Sequence, residues 1–117
     1  MTKFPTHGVL SVSTGVLMGD IGGVYEVISH MIGRSAMTHE LAHYGKQAAD
    51  ALILCHPELP RDVDGRGWEA HRDAFIAQHG ETFALDSALK DVLADDKDPI
   101  SVLREMGFKG DVIAIQR

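Results

Sequence analysis

The sequence predicts a single α+β domain spanning residues 1–117, with four to five helices packed on a small antiparallel three-stranded sheet. Three observations carry that expectation. Apolar residues recur with a helical period in several segments bounded by cap and stop signals. Short β-branched or alternating runs lie near the start, in the second half and at the end of the chain. The length of 117 residues, with 44% hydrophobic and 24% charged residues, suits one core of moderate depth.

Val9 to Thr14 has a strand-like density of β-branched residues, and Gly15 ends it. Asp20 is placed to cap a helix in which Ile21, Val24, Val27, Ile28, Met31 and Ile32 follow a period near 3.6, with Gly33 as its stop. Thr38 is the expected N-cap of the next helix. Its stripe is Leu41, Tyr44, Ala48, Leu52 and Cys55, and Pro57 ends it because the residue before a proline disfavours helical backbone. Pro57 to Gly67 reads as a loop. Trp68 to His79 reads as a helix with Trp68, Phe75 and Ile76 inward and Gly80 behind it. Glu81 to Leu85 alternates as a short strand, and Ser87 to Ala94 reads as a short helix. Asp98-Pro99 is a helix start with proline at the first position, leading to Ile100, Leu103 and Met106 and ending at Gly107. Asp111 to Gln116 is the third expected strand.

The formal net charge of −6 argues against binding a nucleic-acid backbone directly and against docking on an anionic membrane. It suits a basic surface on another protein. Cys55 is the only cysteine, so no intrachain disulfide and no cysteine-based zinc finger can form. Residues 1–7 show no apolar signal-peptide run, and no apolar stretch reaches membrane-spanning length. The expectation is a soluble, cytoplasmic protein without a cofactor.

His39-Glu40-Leu41-Ala42-His43 has the HExxH spelling of a zinc peptidase, in which two histidines one turn apart grip a metal and the glutamate activates its water. The pattern arises by chance in about one sequence in fifty of this composition. With Thr38 as cap, His39 stands on the fraying first turn. His39, His43, Gln47 and Asp50 fall opposite the apolar stripe, where they read as solvated surface. The extended signature with a further glycine and third histidine is absent, leaving His30, Glu58, Glu69 and His71 as the available third ligands. The reading is therefore surface histidines, with a zinc hydrolase as the alternative.

Other patterns resolve to local structure. Asp62-Val63-Asp64-Gly65 resembles part of a calcium loop, but the alignment puts Pro60 and His71 at ligand positions, so it reads as a turn. Gly15, Gly19, Gly22 and Gly23 match neither phosphate-binding fingerprint and read as turn and close-packing glycines. Cys55 lies on the apolar stripe with no cation nearby, as a structural thiol does. Asp86, Asp91, Asp95, Asp96 and Asp98 form the densest acidic segment. They read either as a solvated helix with its caps or as a contact for lysines and arginines of a partner.

Taken in order, several short pieces resemble a family of small bacteriophage and prophage proteins of unknown function. They are Leu10-Ser11 leading to Thr14-Gly15-Val16-Leu17, the amphipathic helix ending at Gly33, Thr38-His39 with Leu41, Pro57-Glu58-Leu59, Gly80-Glu81-Thr82-Phe83, and Asp98-Pro99-Ile100 with Leu103. The family has no assigned activity, so the resemblance attaches no role to Thr14, Gly15, Thr38 or His39. Its pattern reads Thr-His-Gln-Leu where this chain has Thr38-His39-Glu40-Leu41, and it lacks His43. The zinc spelling would thus belong to this member alone.

By analogy with small acidic phage proteins, the resemblance implies a non-enzymatic inhibitor of a host defence system in the bacterial cytoplasm. An anti-CRISPR protein that binds a Cas effector or nuclease with a basic surface is the specific expectation, with Asp86, Asp91, Asp95, Asp96 and Asp98 as its contact. The remaining alternative is a phage morphogenesis or regulatory factor, for which a homodimer is one form.

Overall fold

The computed structural model of the chain describes residues 2–61, 66–94 and 98–108. Among them five α-helices and a two-stranded antiparallel sheet make an α+β fold. The order is β1 (Thr2–Pro5), α1 (Thr6–Thr14), α2 (Ile21–Ile32), α3 (Thr38–Cys55), α4 (Trp68–His79), β2 (Thr82–Leu85), a 3-10 turn (Ser87–Leu89) and α5 (Pro99–Glu105). The expected third strand, Asp111 to Gln116, lies outside the described residues, as does the turn at 62–65.

The largest correction is at Val9 to Thr14, which is not a strand but most of α1. The segment is buried nearly all round: Val9, Leu10 and Val12 enter the core, and Ser11 and Ser13 are buried beside them. An apolar run with no wet face carries no readable period, so β-branching pointed the wrong way. Its hydroxyls are satisfied by helical carbonyls instead. Ser11 Oγ donates to His7 O at 2.7 Å and Thr14 Oγ1 to Leu10 O at 2.7 Å. Ser13 Oγ also reaches Pro60 O at 2.8 Å, tying α1 to the chain beyond α3.

Strand β1 has no alternating pattern and exists because β2 pairs with it, with Phe4 opposite Phe83 and Thr2 opposite Leu85. Thr6 N donates to Glu81 O at 2.8 Å and Thr6 Oγ1 to Gly80 O at 2.7 Å, clamping the start of α1 to the entry of β2.

Helices α1 and α2 approach so closely that a Cβ added at Gly8 would stand 2.7 Å from the Gly23 carbonyl carbon. The His7 ring fills the space that side chains at Gly19 and Gly23 would need. Gly19 and Gly23 are close-packing glycines, as the sequence suggested, and Gly8 is a further one. Asp20 caps α2 by accepting from Gly22 N at 3.0 Å, and Gly33 ends it at φ 90°.

The N-cap of α3 is Met37 rather than Thr38. Thr38 is the first helical residue, and its hydroxyl meets that of Tyr25 on α2 at 2.8 Å. Helix α4 lies where expected, but none of its residues is fully buried; Trp68 and Phe75 only lean against the core. Ser87 to Ala94 is not a regular helix. After the 3-10 turn, Asp91 N donates to His30 O at 3.1 Å and Leu93 N to Met31 O at 2.8 Å, using carbonyls near the end of α2. Helix α5 starts as expected, with the Asp98 carboxylate accepting from Ile100 N at 3.2 Å and from the Ser101 hydroxyl at 2.8 Å. Leu103 is fully buried, while Met106 turns outward and is 58% exposed. Among the described residues no helix is long and apolar enough to cross a membrane.

Candidate functional site

Three places could carry function: the start of α3, the acidic segment, and a groove between the first three helices.

At the start of α3, Glu40 lies one turn before Tyr44 and therefore on the core side of the helix, where it is buried. Arg34, from the connection after α2, grips it with both terminal nitrogens, NH1 to Oε1 at 2.8 Å and NH2 to Oε2 at 2.5 Å. Oε1 also accepts from Met37 N at 2.9 Å, as the third helical residue does in a capping box. The Arg34 hydrogen bonds come first, and the Met37 amide second, in holding the carboxyl down at about 2, against a usual value of 4.5. So weak a base, with its oxygens occupied, is poorly suited to taking a proton from water. His39 and His43 point to solvent, and His43 stands edge-on to Tyr44 at 4.6 Å between ring centroids. Among the described residues no three His, Cys, Asp or Glu side chains come together to hold a metal ion. The geometry is that of a helix start. Sequence reasoning placed the histidines outward but missed Glu40 as a buried capping group, because placing the cap at Thr38 shifted the capping-box position by one.

The acidic residues do separate tasks. Asp86 is half-buried and caps the 3-10 turn by accepting from Ala88 N at 2.9 Å. Its own N–H donates to His56 Nε2 at 3.0 Å. His56 is buried at the end of α3, edge-on to Phe83, and burial lowers its pKa despite the opposing pull of Glu58 and Asp86. Asp91 is exposed, adopts φ 60°, and sets its carboxylate against Gly33. Asp98 is exposed and caps α5. Asp95 and Asp96 lie outside the described residues. The solvated-cap reading thus accounts for Asp86 and Asp98, and leaves Asp91 with no capping role. Nearby, burial and then Asp86 push the half-buried Cys55 thiol up to about 12, which keeps it protonated and unreactive.

The groove was not foreseen. A cavity of about 220 Å³ opens between α1, α2 and α3, with Leu17, Ile21, Val24, Ile28 and Leu41 as its apolar wall. It continues into a second cavity of about 380 Å³ through the shared residues Val12, Gly15, Leu41 and Gly45. The second cavity is more polar and is lined at its far side by Lys46 and Arg61. Leu17 and Ile21 stand at the rim, 49% and 46% exposed. The one sequence signal for it was a glycine, Gly45, inside the long helix α3.

Residues 4–62 match the model of a family described as "Domain of unknown function (DUF7736)". No curated protein and no solved structure matches the chain. The matched span covers just over half of the 117 residues and contains all of the groove lining and the start of α3. The acidic segment falls outside it.

Proposed function

The chain belongs to this family of unknown function, and on that premise we propose that it works by binding a protein rather than by catalysis. The specific reading is a phage- or prophage-encoded inhibitor of a host defence system. It would be an anti-CRISPR protein in the bacterial cytoplasm that occupies a surface of a Cas protein or effector complex. The observation that carries the binding half is the state of Glu40: the one residue that spelled hydrolysis is held by Arg34 and the Met37 amide. The defence half rests on the resemblance to small phage proteins.

Charge supports the contact. The chain carries a formal −6; Asp91 is exposed on a segment tied by backbone hydrogen bonds to α2, and Asp98 is exposed at the start of α5. Carboxylates held in place lose little freedom on meeting lysines and arginines of a surface built for nucleic acid. Asp86, Asp91, Asp95, Asp96 and Asp98 are the proposed contact.

The test is capture of purified host effector complexes on the immobilised chain at low and high salt. Capture that weakens as salt rises, and is lost when Asp91, Asp95 and Asp96 are changed to lysine, supports the reading. No capture of any effector, or capture indifferent to those changes, defeats it.

A further inference from the structure

We propose that the groove between α1, α2 and α3 is a docking site for a linear segment of a partner protein that sets an apolar side chain beside a carboxylate. The two ends of the groove differ in chemistry. Leu17, Ile21 and Val24 offer an apolar wall, two of them with about half their surface in water. At the other end stand Lys46, which is exposed, and Arg61. One terminal nitrogen of Arg61 pairs with Asp50, while the other is buried and meets no hydrogen-bond partner among the described residues. The exposed Lys46 ammonium is the cation that an incoming carboxylate can meet, with the Arg61–Asp50 pair behind it. A partner chosen by Lys46 differs in kind from the basic surface proposed for the acidic segment.

Gly45 is the second, independent observation. A glycine inside a helix weakens it by roughly 0.5–1 kcal/mol relative to alanine. The usual reason for tolerating one is a close neighbour, as at Gly8. At Gly45 a Cβ would meet nothing within 4 Å, so this chain's own packing does not require the glycine. Gly45 lines both cavities, and the space above it is the groove floor. A bare floor under an apolar wall is what an incoming side chain needs. The groove runs from an apolar cavity of about 220 Å³ into a more polar one of about 380 Å³, so an occupant that fills both carries an apolar group at one end and a polar group at the other.

The test pans a display library of random linear peptides on the full chain and measures the enriched peptides by fluorescence anisotropy. Enriched sequences are expected to pair Leu, Ile, Met or Phe with Asp or Glu. Their affinity should fall at least about tenfold in Gly45→Phe and in Lys46→Glu. Replacing the peptide's acids by lysine should abolish binding to the wild type and restore it to Lys46→Glu. The thermal midpoint of each variant is read first. If Gly45→Phe does not fold, the charge exchange on Lys46 decides alone. Failure to enrich any peptide, enrichment of peptides without acids, or equal binding to the charge-reversed variant overturns the proposal. So does a concentration-dependent dimer that Gly45→Phe abolishes, since the occupant would then be a second copy. None of these outcomes depends on whether the chain captures a Cas complex.

Discussion

Helix α3, in the family-matched half, buries seven of its eighteen residues, whereas α4, in the other half, buries none of its twelve. The second half nevertheless enters the core. It does so through single leucines on short pieces: Leu85 from β2, Leu89 from the 3-10 turn, Leu93 from the segment against α2, and Leu103 from α5, each no more than 1% exposed. Residues 4–62 thus supply the helical walls, the groove and the start of α3, while residues 82–103 supply the plugs. The boundary of the family match is therefore not a folding boundary, since β1 pairs only with β2 among the described residues and Ala48, Leu52 and Tyr44 share one core with those four leucines.

The most severe way to break that comparison is to remove the second half. A chain ending at Arg61 should not fold cooperatively. Each fully buried leucine is worth about 1.5–3 kcal/mol, so four together approach the 5–15 kcal/mol by which an ordinary domain is stable. Circular dichroism and amide NMR should show partial helix with collapsed dispersion. A sharp two-state melt of this fragment would mean that the family segment is a complete domain.

Within the family half, two helical glycines should answer oppositely. Gly8→Ala puts a methyl group 2.7 Å from the Gly23 backbone, which cannot swing aside, and the helices must separate at a loss of about 1–3 kcal/mol. Gly45→Ala meets open space and should gain about 0.5–1 kcal/mol from helix propensity. Urea midpoints of the two variants measure both. A loss at Gly45 would show that the helix needs its glycine for itself, and would remove one support of the docking proposal.

What the sequence made legible follows the same division. Helix α2 could be read because Asp20, a clear 3.6-residue period and Gly33 agree with one another. Helix α5 could be read from Asp98-Pro99. Helix α1 could not, because a nine-residue element with seven buried residues shows neither period. Strand β1 could not, because its cause lies in residues 82–85, far along the chain. The outward histidines of α3 followed from helical angle alone, yet the partner of Glu40 is Arg34, placed by the loop between α2 and α3. The groove could not be read either, because an empty space beside Gly45 has no letter in the sequence.

His56 joins the two halves and should make that junction sensitive to acid. Its Nε2 can accept the Asp86 N–H only while unprotonated. The charged or titratable groups facing it, Glu58 and Asp86, raise its pKa, but burial outweighs them and holds it below 6.5. His30, between Phe4 and the Asp91 segment, is lowered likewise, first by burial and then by Lys90, against the pull of Asp91. As pH falls the unfolded chain takes up these protons first. The stability they contribute is complete above about pH 6.5 and is lost as pH drops through the folded values. Urea midpoints against pH should therefore slope downward below 6.5, and less steeply in His56→Gln, whose amide oxygen can still accept the Asp86 N–H. An unchanged slope in that variant would remove His56 from the account.

The smallest expected effect separates the two meanings of the HExxH letters. In a zinc peptidase all three polar residues are needed and the histidines hold the metal. Here Glu40 is a structural group, and the histidines touch little. His39→Ala and His43→Ala should leave the urea midpoint at pH 7 unchanged. Glu40→Gln keeps an oxygen for the Met37 amide but loses the charge facing Arg34, so it should lower the midpoint modestly. Because the Glu40 carboxyl is held at about 2 in the fold against 4.5 ordinarily, its contribution is complete above about pH 4.5 and fades as pH falls toward 2. The gap between wild type and Glu40→Gln should therefore close between those values while the histidine variants show no such trend. Zinc that co-purifies with the chain and is lost on His43→Ala, together with a gap that does not close in acid, would return the motif to its catalytic meaning.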